Sequence, residues 1–250
     1  MALSDYQTAL VTGASSGIGA AVTRALTKRG LTVHAVARRE DRLQALAEET
    51  GCIPLVLDLV DTGAIRDKLA GLDIDVVVNN AGLGIGMESL ATVDIAEMDR
   101  MIDVNYRAVL HVLNALLPSM VKRDCGHIVN LGSVGGHYPS NVGAGYGSSK
   151  AAVHKLSLDV RFDLAGTRIR VTEIAPGLVR SEFFDVRWDG DQDKVDRQFR
   201  NKDGDIAPET IADCILFALD APWHVNVSLI ELMPVIQVMG GVRMSPFAED

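Results

Sequence analysis

Residues 75–80 read DVVVNN. A run this short and this rich in β-branched residues forms a strand, and its unbroken apolar character marks a strand covered on both faces. Strands of that kind belong to parallel sheets, whose connections must cross over through helices. The chain repeats the pattern at QTALVT (7–12), LTVHAVA (31–37), IPLVLDL (53–59), HIVNLGS (127–133) and RIRVTEIAP (168–176), with SLIELMP (228–234) as a last edge strand. Helical patterns lie between them. Residues 17–30 carry Ile18, Ala21, Val22, Ala25 and Leu26 at helical spacing until Gly30 stops them. REDRLQALAEET, a long region over about 94–123 with Pro118 near its end, and residues 145–165 read as further helices. This alternation predicts an α/β fold: one doubly wound parallel sheet with helices on both faces. No linker divides the 250 residues, so they form a single domain, with ample length for a buried core. Residues 177–207 break the rhythm. They are charged and weakly periodic, as functional or mobile segments inside compact domains are.

The bulk numbers exclude several classes. A net charge of −9 and a pI near 5.1 argue against nucleic acid as a main partner. No apolar run reaches membrane-spanning length, so no membrane partner is expected. MALSDYQTALVTGASSG lacks the basic start and long apolar core of a signal peptide. Cys52, Cys125 and Cys214 are odd in number and scattered, which fits reduced thiols in a cytoplasmic protein. His34, His111, His127, His137, His154 and His224 show no metal-ligand spacing, so no metal is expected.

TGASSGIG (12–19) joins the first strand to the first helix. Gly13 permits the tight turn, Gly17 lets backbone approach a diphosphate, and Gly19 lets helix and strand pack closely. The helix N-terminus then offers free N–H groups and partial positive charge to phosphates. The spacing is G-x-x-x-G-x-G, so the glycines read either as turn punctuation or, from their place, as a dinucleotide site. In an NAD site an acidic residue closes the second strand. Here Ala37 stands there and Arg38 and Arg39 follow, which favours the 2′-phosphate of NADP(H), with Arg38 the stronger candidate. Alternatively both arginines open an exposed helix beside Glu40 and Asp41.

YGSSK (146–150) puts a phenol and an ammonium one helical turn apart on one face. A nearby cation lowers a phenol's pKa, so Tyr146 with Lys150 is either proton-transfer machinery or a tyrosine beside a surface lysine. Taken singly, Ser133 also reads as a turn residue, Asn105 as a packing or helix-kink residue, and Asp58 as an N-cap that Asp61 could equally supply.

With TGASSGIG, NNAG (79–82), Asn105, Ser133, Tyr146 and Lys150 in this order, the chain resembles the short-chain dehydrogenase/reductase family over nearly its whole length. The resemblance implies a Rossmann-type seven-stranded sheet in the order 3-2-1-4-5-6-7, with the active site at the strands' C-terminal ends. It implies catalytic roles for Asn105, Ser133, Tyr146 and Lys150: Tyr146 as general acid/base, Lys150 depressing its pKa and bonding the nicotinamide ribose, Ser133 holding the substrate oxygen, and Asn105 holding a water. NADP(H) would lie on Gly13, Ser15, Ser16, Gly17, Ile18 and Gly19, with Arg38 and Arg39 at its phosphate. Asp58 and Leu59 would meet the adenine, Asn80, Ala81 and Gly82 the adenosine ribose, and Pro176, Gly177, Val179 and Ser181 the carboxamide. The family is usually homotetrameric, with homodimeric pairing through the helices that carry Asn105 and Tyr146.

NNAGLGIGME (79–88), PGLVRSEFFDVRWDGD (176–191) and HVNVSLIELMPV (224–235) look like the NADP-dependent 3-hydroxy acid and serine dehydrogenase subgroup, to which sulfoacetaldehyde reductases look related. The expected substrate is therefore a small, anionic hydroxy acid or semialdehyde. Residues 177–207 would form the lid. Arg187 is either an anchor for the substrate anion or a surface residue facing Asp185 or Asp189. Tyr138 either lines the pocket or faces solvent. Arg180 stands where close relatives have a small residue, and so bears on pocket shape. Two other readings remain. A 3-oxoacyl-thioester reductase needs a basic patch by the cleft to dock an acidic carrier, with Arg107, Lys122 and Arg123 as candidates. A catalytically silent dinucleotide-binding regulator would have lost a proton-transfer residue. The tail, 237–250, either reaches a neighbouring subunit or frays.

Overall fold

The computed structural model describes residues 3–139, 143–199 and 205–237. Seven strands form one parallel sheet: β1 (Thr8–Thr12), β2 (Thr32–Ala37), β3 (Ile53–Val56), β4 (Val76–Asn79), β5 (Gly126–Leu131), β6 (Ile169–Pro176) and β7 (Leu229–Leu232). Their order is β3-β2-β1-β4-β5-β6-β7, the order expected. Leu10 of β1 lies opposite His34 of β2 on one side and Val77 of β4 on the other.

The valines of β4 show why the run carries no polar alternation. Val76 and Val78 enter one apolar layer and Val77 the other. The first layer is closed by α1 (Gly17–Lys28), α2 (Glu40–Thr50) and α10 (Pro208–Asp220), through Val22, Leu26, Leu43, Ile211 and Ile215. The second is closed by α3 (Thr62–Leu69), α5 (Ala108–Arg123) and α7 (Ala144–Asp163), through Ile65, Leu69, Val112, Leu116 and Val160. Burying one such side chain contributes about 1.5–3 kcal/mol, so both layers hold the sheet.

Several elements depart from the pattern. β3 ends at Val56, so Asp58 and Leu59 lie in the turn beyond it. The helical region after residue 94 is α4 (Ile95–Ile102), a π-helical turn over Asp103–Arg107, and then α5. α5 runs past Pro118 to Arg123, held by the buried Leu113, Leu116 and Met120. Besides the lid helices, α3, α10 and the one-turn α6 (Val134–His137) lie outside the helical patterns named above. Asp61 caps α3 by accepting from the Ala64 N–H at 2.9 Å. The lid segment contains α8 (Phe183–Arg187) and α9 (Gln192–Gln198). Leu178, Val195 and Phe199 pack there with Phe184 and Trp188 into a small apolar cluster of their own. The lid's residues 200–204 and the tail beyond Gln237 lie outside the described residues.

Candidate active site

The strands' C-terminal ends open into one cavity of about 1290 Å³. It is lined by the residue at or just after the end of six strands: Gly13, Ala37, Asp58, Asn80, Leu131 and Pro176. Sheet order reverses between β1 and β4, where open α/β sheets bind their ligands.

The glycine-rich loop is braced from β4. Thr12 Oγ1 accepts from the N–H groups of Asn80 and Ala81, both at 3.0 Å, and Asn80 Nδ2 donates to the Thr12 carbonyl at 2.8 Å. The Asn80 side chain therefore supports the loop. Gly13 has φ +66°, and a Cβ on it would sit 2.9 Å from Ala81 Cα. A Cβ on Gly19 would sit 2.3 Å from the Gly13 carbonyl oxygen, which is the close packing expected of it. The N-cap of α1, Ser16, makes no side-chain capping bond, and the first turn has no acidic residue. Its N–H groups and positive end face the cavity beside Ser15, Gly17 and Ile18.

Arg38 and Arg39 both line this end. Arg39, the weaker candidate from sequence, has the more defined place. It donates to Ser15 Oγ at 3.0 Å and Ser16 Oγ at 2.7 Å, and pairs with Glu182 at 3.0 Å. Arg42 meets the same carboxylate at 2.5 Å. Glu182 and Arg42 carry no sequence signal of this contact, because 140 residues separate them. The N–H donors, the guanidinium groups and the cradle kept open by glycine fit a dinucleotide with an extra phosphate. Asp58, Leu59, Ala81, Gly82, Gly177, Val179 and Ser181 also line the cavity. Ser181 faces the loop, its Cβ 3.0 Å from where a Gly17 Cβ would stand.

At the other end Ser133, Tyr146, Lys150 and Arg187 converge. Ser133 caps α6, accepting from the Gly135 N–H at 3.1 Å, and is hydrogen-bonded to Tyr146. The Tyr146 ring packs 5.4 Å from that of Phe183. Arg187 lies with its guanidinium carbon 4.9 Å from the Tyr146 ring centroid and 5.2 Å from that of Phe183. Arg187 is only 4% exposed, so it is no surface residue. A Cβ on Gly84 would sit 2.5 Å from its guanidinium, so the glycine makes its room.

The sequence leads to the expectation that Lys150 depresses the Tyr146 pKa; in the structure burial dominates the phenol. Burial pushes the phenol above its ordinary value, and neither the Ser133 hydrogen bond nor the Arg187 charge offsets it. Lys150 is buried and donates to the Leu131 carbonyl at 2.7 Å. Burial draws its own pKa down to about 8, with Glu173 opposing. The two side chains share a helix face, but the ammonium is held against the sheet.

Asn105 sits in the π-helical turn and is fully satisfied. Its Oδ1 accepts from the Leu83 N–H at 2.7 Å, and its Nδ2 donates to the Leu83 carbonyl at 2.9 Å and to Ser149 Oγ at 3.0 Å. The packing and helix-kink reading of Asn105 therefore describes what its side chain does in this turn. A Cβ on Gly82 would lie 3.2 Å from Asn105 Oδ1 and 3.4 Å from Lys150 Nζ, so both polar atoms border one small space.

The structure also places the remaining candidates. Tyr138 lines the cavity and donates to Glu231 at 3.2 Å. Arg180 does not line it: it pairs with Asp205 and lies over the Phe199 ring at 4.5 Å, so it shapes the lid and leaves the pocket wall to others. Arg123 bonds Asp75 at 2.5 Å, at the sheet end away from the cavity, so it and Lys122 cannot form a patch by the cleft. Arg107 pairs with Asp103 at 2.9 Å.

The family model for short chain dehydrogenase matches residues 7–192. The chain is 41% identical over 243 residues to the NADP-dependent 3-hydroxy acid dehydrogenase YdfG of Salmonella typhi, covering 94% of this chain and 98% of that one. A solved structure of serine dehydrogenase in its closed form, complexed with NADP+, superposes with a TM-score of 0.91 at 39% identity, covering 96% and 100% of the two chains. A second serine dehydrogenase structure, from Escherichia coli, gives a TM-score of 0.81 at 36% identity, covering 93% and 100%.

Proposed function

Because the chain belongs to the short-chain dehydrogenase family, we propose that it is an NADP(H)-dependent oxidoreductase acting on the carbonyl or alcohol of a small anionic hydroxy acid or semialdehyde. The observation that carries the reading is the buried Arg187 guanidinium 4.9 Å from the ring of Tyr146, in the cavity that also holds the glycine-rich loop. A guanidinium grips a carboxylate or sulfonate through paired hydrogen bonds, which would bring the carbonyl or carbinol carbon, one carbon beyond the acid group's neighbour, towards the phenol.

When bound, NADP(H) supplies or accepts the hydride. The chain's residues do the rest. Ser133 and Tyr146 hydrogen-bond the substrate oxygen, where charge grows as the hydride adds. Tyr146, kept protonated by burial, gives that oxygen its proton in reduction; in oxidation it takes the proton back. Lys150 would bond the nicotinamide ribose, and its Nζ borders the same space beside Gly82 as Asn105 Oδ1. Arg38 and Arg39, with Ser15 and Ser16, hold the 2′-phosphate end. The lid carries Arg187 and excludes water on closing.

Among the described residues no helix is long and apolar enough to cross a membrane. The same reading places the protein in the cytoplasm as a homotetramer. Leu110 of α5 and Leu158 and Phe162 of α7 are exposed on the helices expected to pair, and sedimentation would show whether they do.

An NADPH-oxidation screen over small anionic aldehydes and β-keto acids, with neutral aldehydes and an acetoacetyl thioester as controls, tests the substrate. Arg187→Ala should raise KM for the anionic substrate at least about tenfold more than for a neutral aldehyde, the loss of one charge-assisted contact. Equal losses on both would remove the anchor. Preference for the thioester would install the carrier-dependent reading.

A further inference from the structure

A second cluster lies behind the catalytic pair. His137 ends α6, His154 sits on α7 one turn beyond Lys150, and Glu173 lies in the middle of β6. His137 Nε2 is 3.0 Å from Glu173 Oε1, and His154 Nδ1 is 2.6 Å from Glu173 Oε2. One ligand atom from each falls within 4.8 Å of the others. The opposite nitrogen of His137, Nδ1, lies 2.9 Å from Glu231 Oε2, and the other Glu231 oxygen accepts from Tyr138.

We propose that His137, His154 and Glu173 form a binding site for a divalent transition metal, Zn²⁺, distinct from the redox site. Two imidazoles and a carboxylate are a zinc donor set. The His137–Glu231 contact is the carboxylate support that orients metal-bound histidines, and Tyr138 fixes that carboxylate in turn. The site is built into the fold. A Cβ on Gly132 would sit 2.0 Å from Glu173 Oε1, so Gly132 makes room for the carboxylate; one on Gly136 would sit 2.6 Å from the Lys150 carbonyl carbon, so Gly136 lets α6 close on α7. The Glu173 side chain is 2% exposed and His137 9%, whereas His154 is 34% exposed and opens the way in. On binding, the ring nitrogens that face Glu173 give up their protons, to the ring's other nitrogen from a neutral imidazole or to solvent from an imidazolium, so that each imidazole stays neutral with one N–H, and the freed imidazole and carboxylate lone pairs bond the metal. No residue of the set touches the substrate space, so the metal is a structural tie. It fastens the segment capped by Ser133 to the helix that carries Tyr146 and Lys150. Sequence spacing hid the set, because its members come from three separate elements.

The inference does not depend on which carbonyl is reduced. Purified full-length protein is loaded with ZnCl₂, desalted and assayed by elemental analysis, with thermal unfolding in Zn²⁺ or Mg²⁺ alongside. The expected result is about one retained zinc per chain and a Tm rise with Zn²⁺ but not Mg²⁺. His154→Ala and His154→Gln, at a part-exposed position, should lose both signals while keeping the wild-type circular dichroism spectrum. His224→Ala should lose neither. Co²⁺ loading should give the visible absorption of a low-symmetry site in wild type and not in His154→Ala. If wild type retains no more zinc than His154→Ala, or if Mg²⁺ raises Tm as much, the site does not exist.

Discussion

The general-acid role proposed for Tyr146 rests on a phenol kept protonated by burial. Its ring stays packed on Phe183 when the hydroxyl is removed, so Tyr146→Phe should keep the fold and NADPH binding, measured by fluorescence titration, while kcat falls about 100- to 10,000-fold. A variant of unchanged turnover would end the general-acid role. Lys150 gives a pH signature. Its folded pKa, about 8, lies below the ordinary lysine value, so between pH 8 and about 10.4 the unfolded chain holds a proton that the folded chain lacks. Its contribution to stability therefore rises with pH through that window, and the cost of burying the charge is fully present below it. In urea unfolding without added cofactor, Lys150→Met should compare best with wild type at pH 7. It should lose ground by on the order of 3 kcal/mol by pH 10. A difference that stays flat with pH would mean that the ammonium is not desolvated. The YGSSK spacing made the pair visible, but not the direction in which the ammonium turns. That is decided by the Leu131 carbonyl, 19 residues away.

Among the elements, the lid and the second helix are joined by charge. Glu182 opens α8 and binds Arg39 at 3.0 Å and Arg42 at 2.5 Å, at the end of the cavity where a 2′-phosphate belongs. A carboxylate there competes with that phosphate for the same guanidinium groups and repels it. Glu182→Gln should therefore tighten NADPH binding by about tenfold at low salt, leave NADH binding nearly unchanged, and lose the difference as salt rises. Weaker NADPH binding in the variant would show instead that Glu182 holds the arginines in place for the phosphate. Most strands and long helices could be read from their periodicity. The lid helices could not, because Leu178, Phe184, Trp188, Val195 and Phe199 pack mainly on one another and leave no regular stripe. The π-helical turn was also hidden, since it is Asn105 bonding Leu83 across 22 residues that gives it a purpose.

Across the whole molecule, the sheet end away from the cavity is fastened by Asp75. Its side chain accepts from the N–H groups of Gln7 at 2.8 Å and Thr8 at 3.1 Å and from Arg123 at 2.5 Å. Burial pushes its pKa up, but these hydrogen bonds outweigh it and hold the carboxyl below the ordinary aspartate range. The stabilisation is thus present above about pH 4 and is lost as pH falls through the folded value. Asp75→Asn should cost about 1.5–3 kcal/mol at pH 7 by urea unfolding, and the deficit should shrink in acid. A deficit independent of pH would assign the loss to packing alone. The amino-acid order determined the parallel sheet and the glycine-rich loop, because these depend on local periodicity and on a short motif placed at a strand end; the strand order and the grouping of Ser133, Tyr146 and Lys150 followed from the family resemblance. Only the tertiary structure decided that Arg187 lies against the Tyr146 ring while Lys150 bonds the Leu131 carbonyl, that Glu182 meets Arg39, and that His137, His154 and Glu173 share one space. Those contacts join segments far apart in the chain, and the burial and charge that govern them exist only once the sheet has brought its strand ends together.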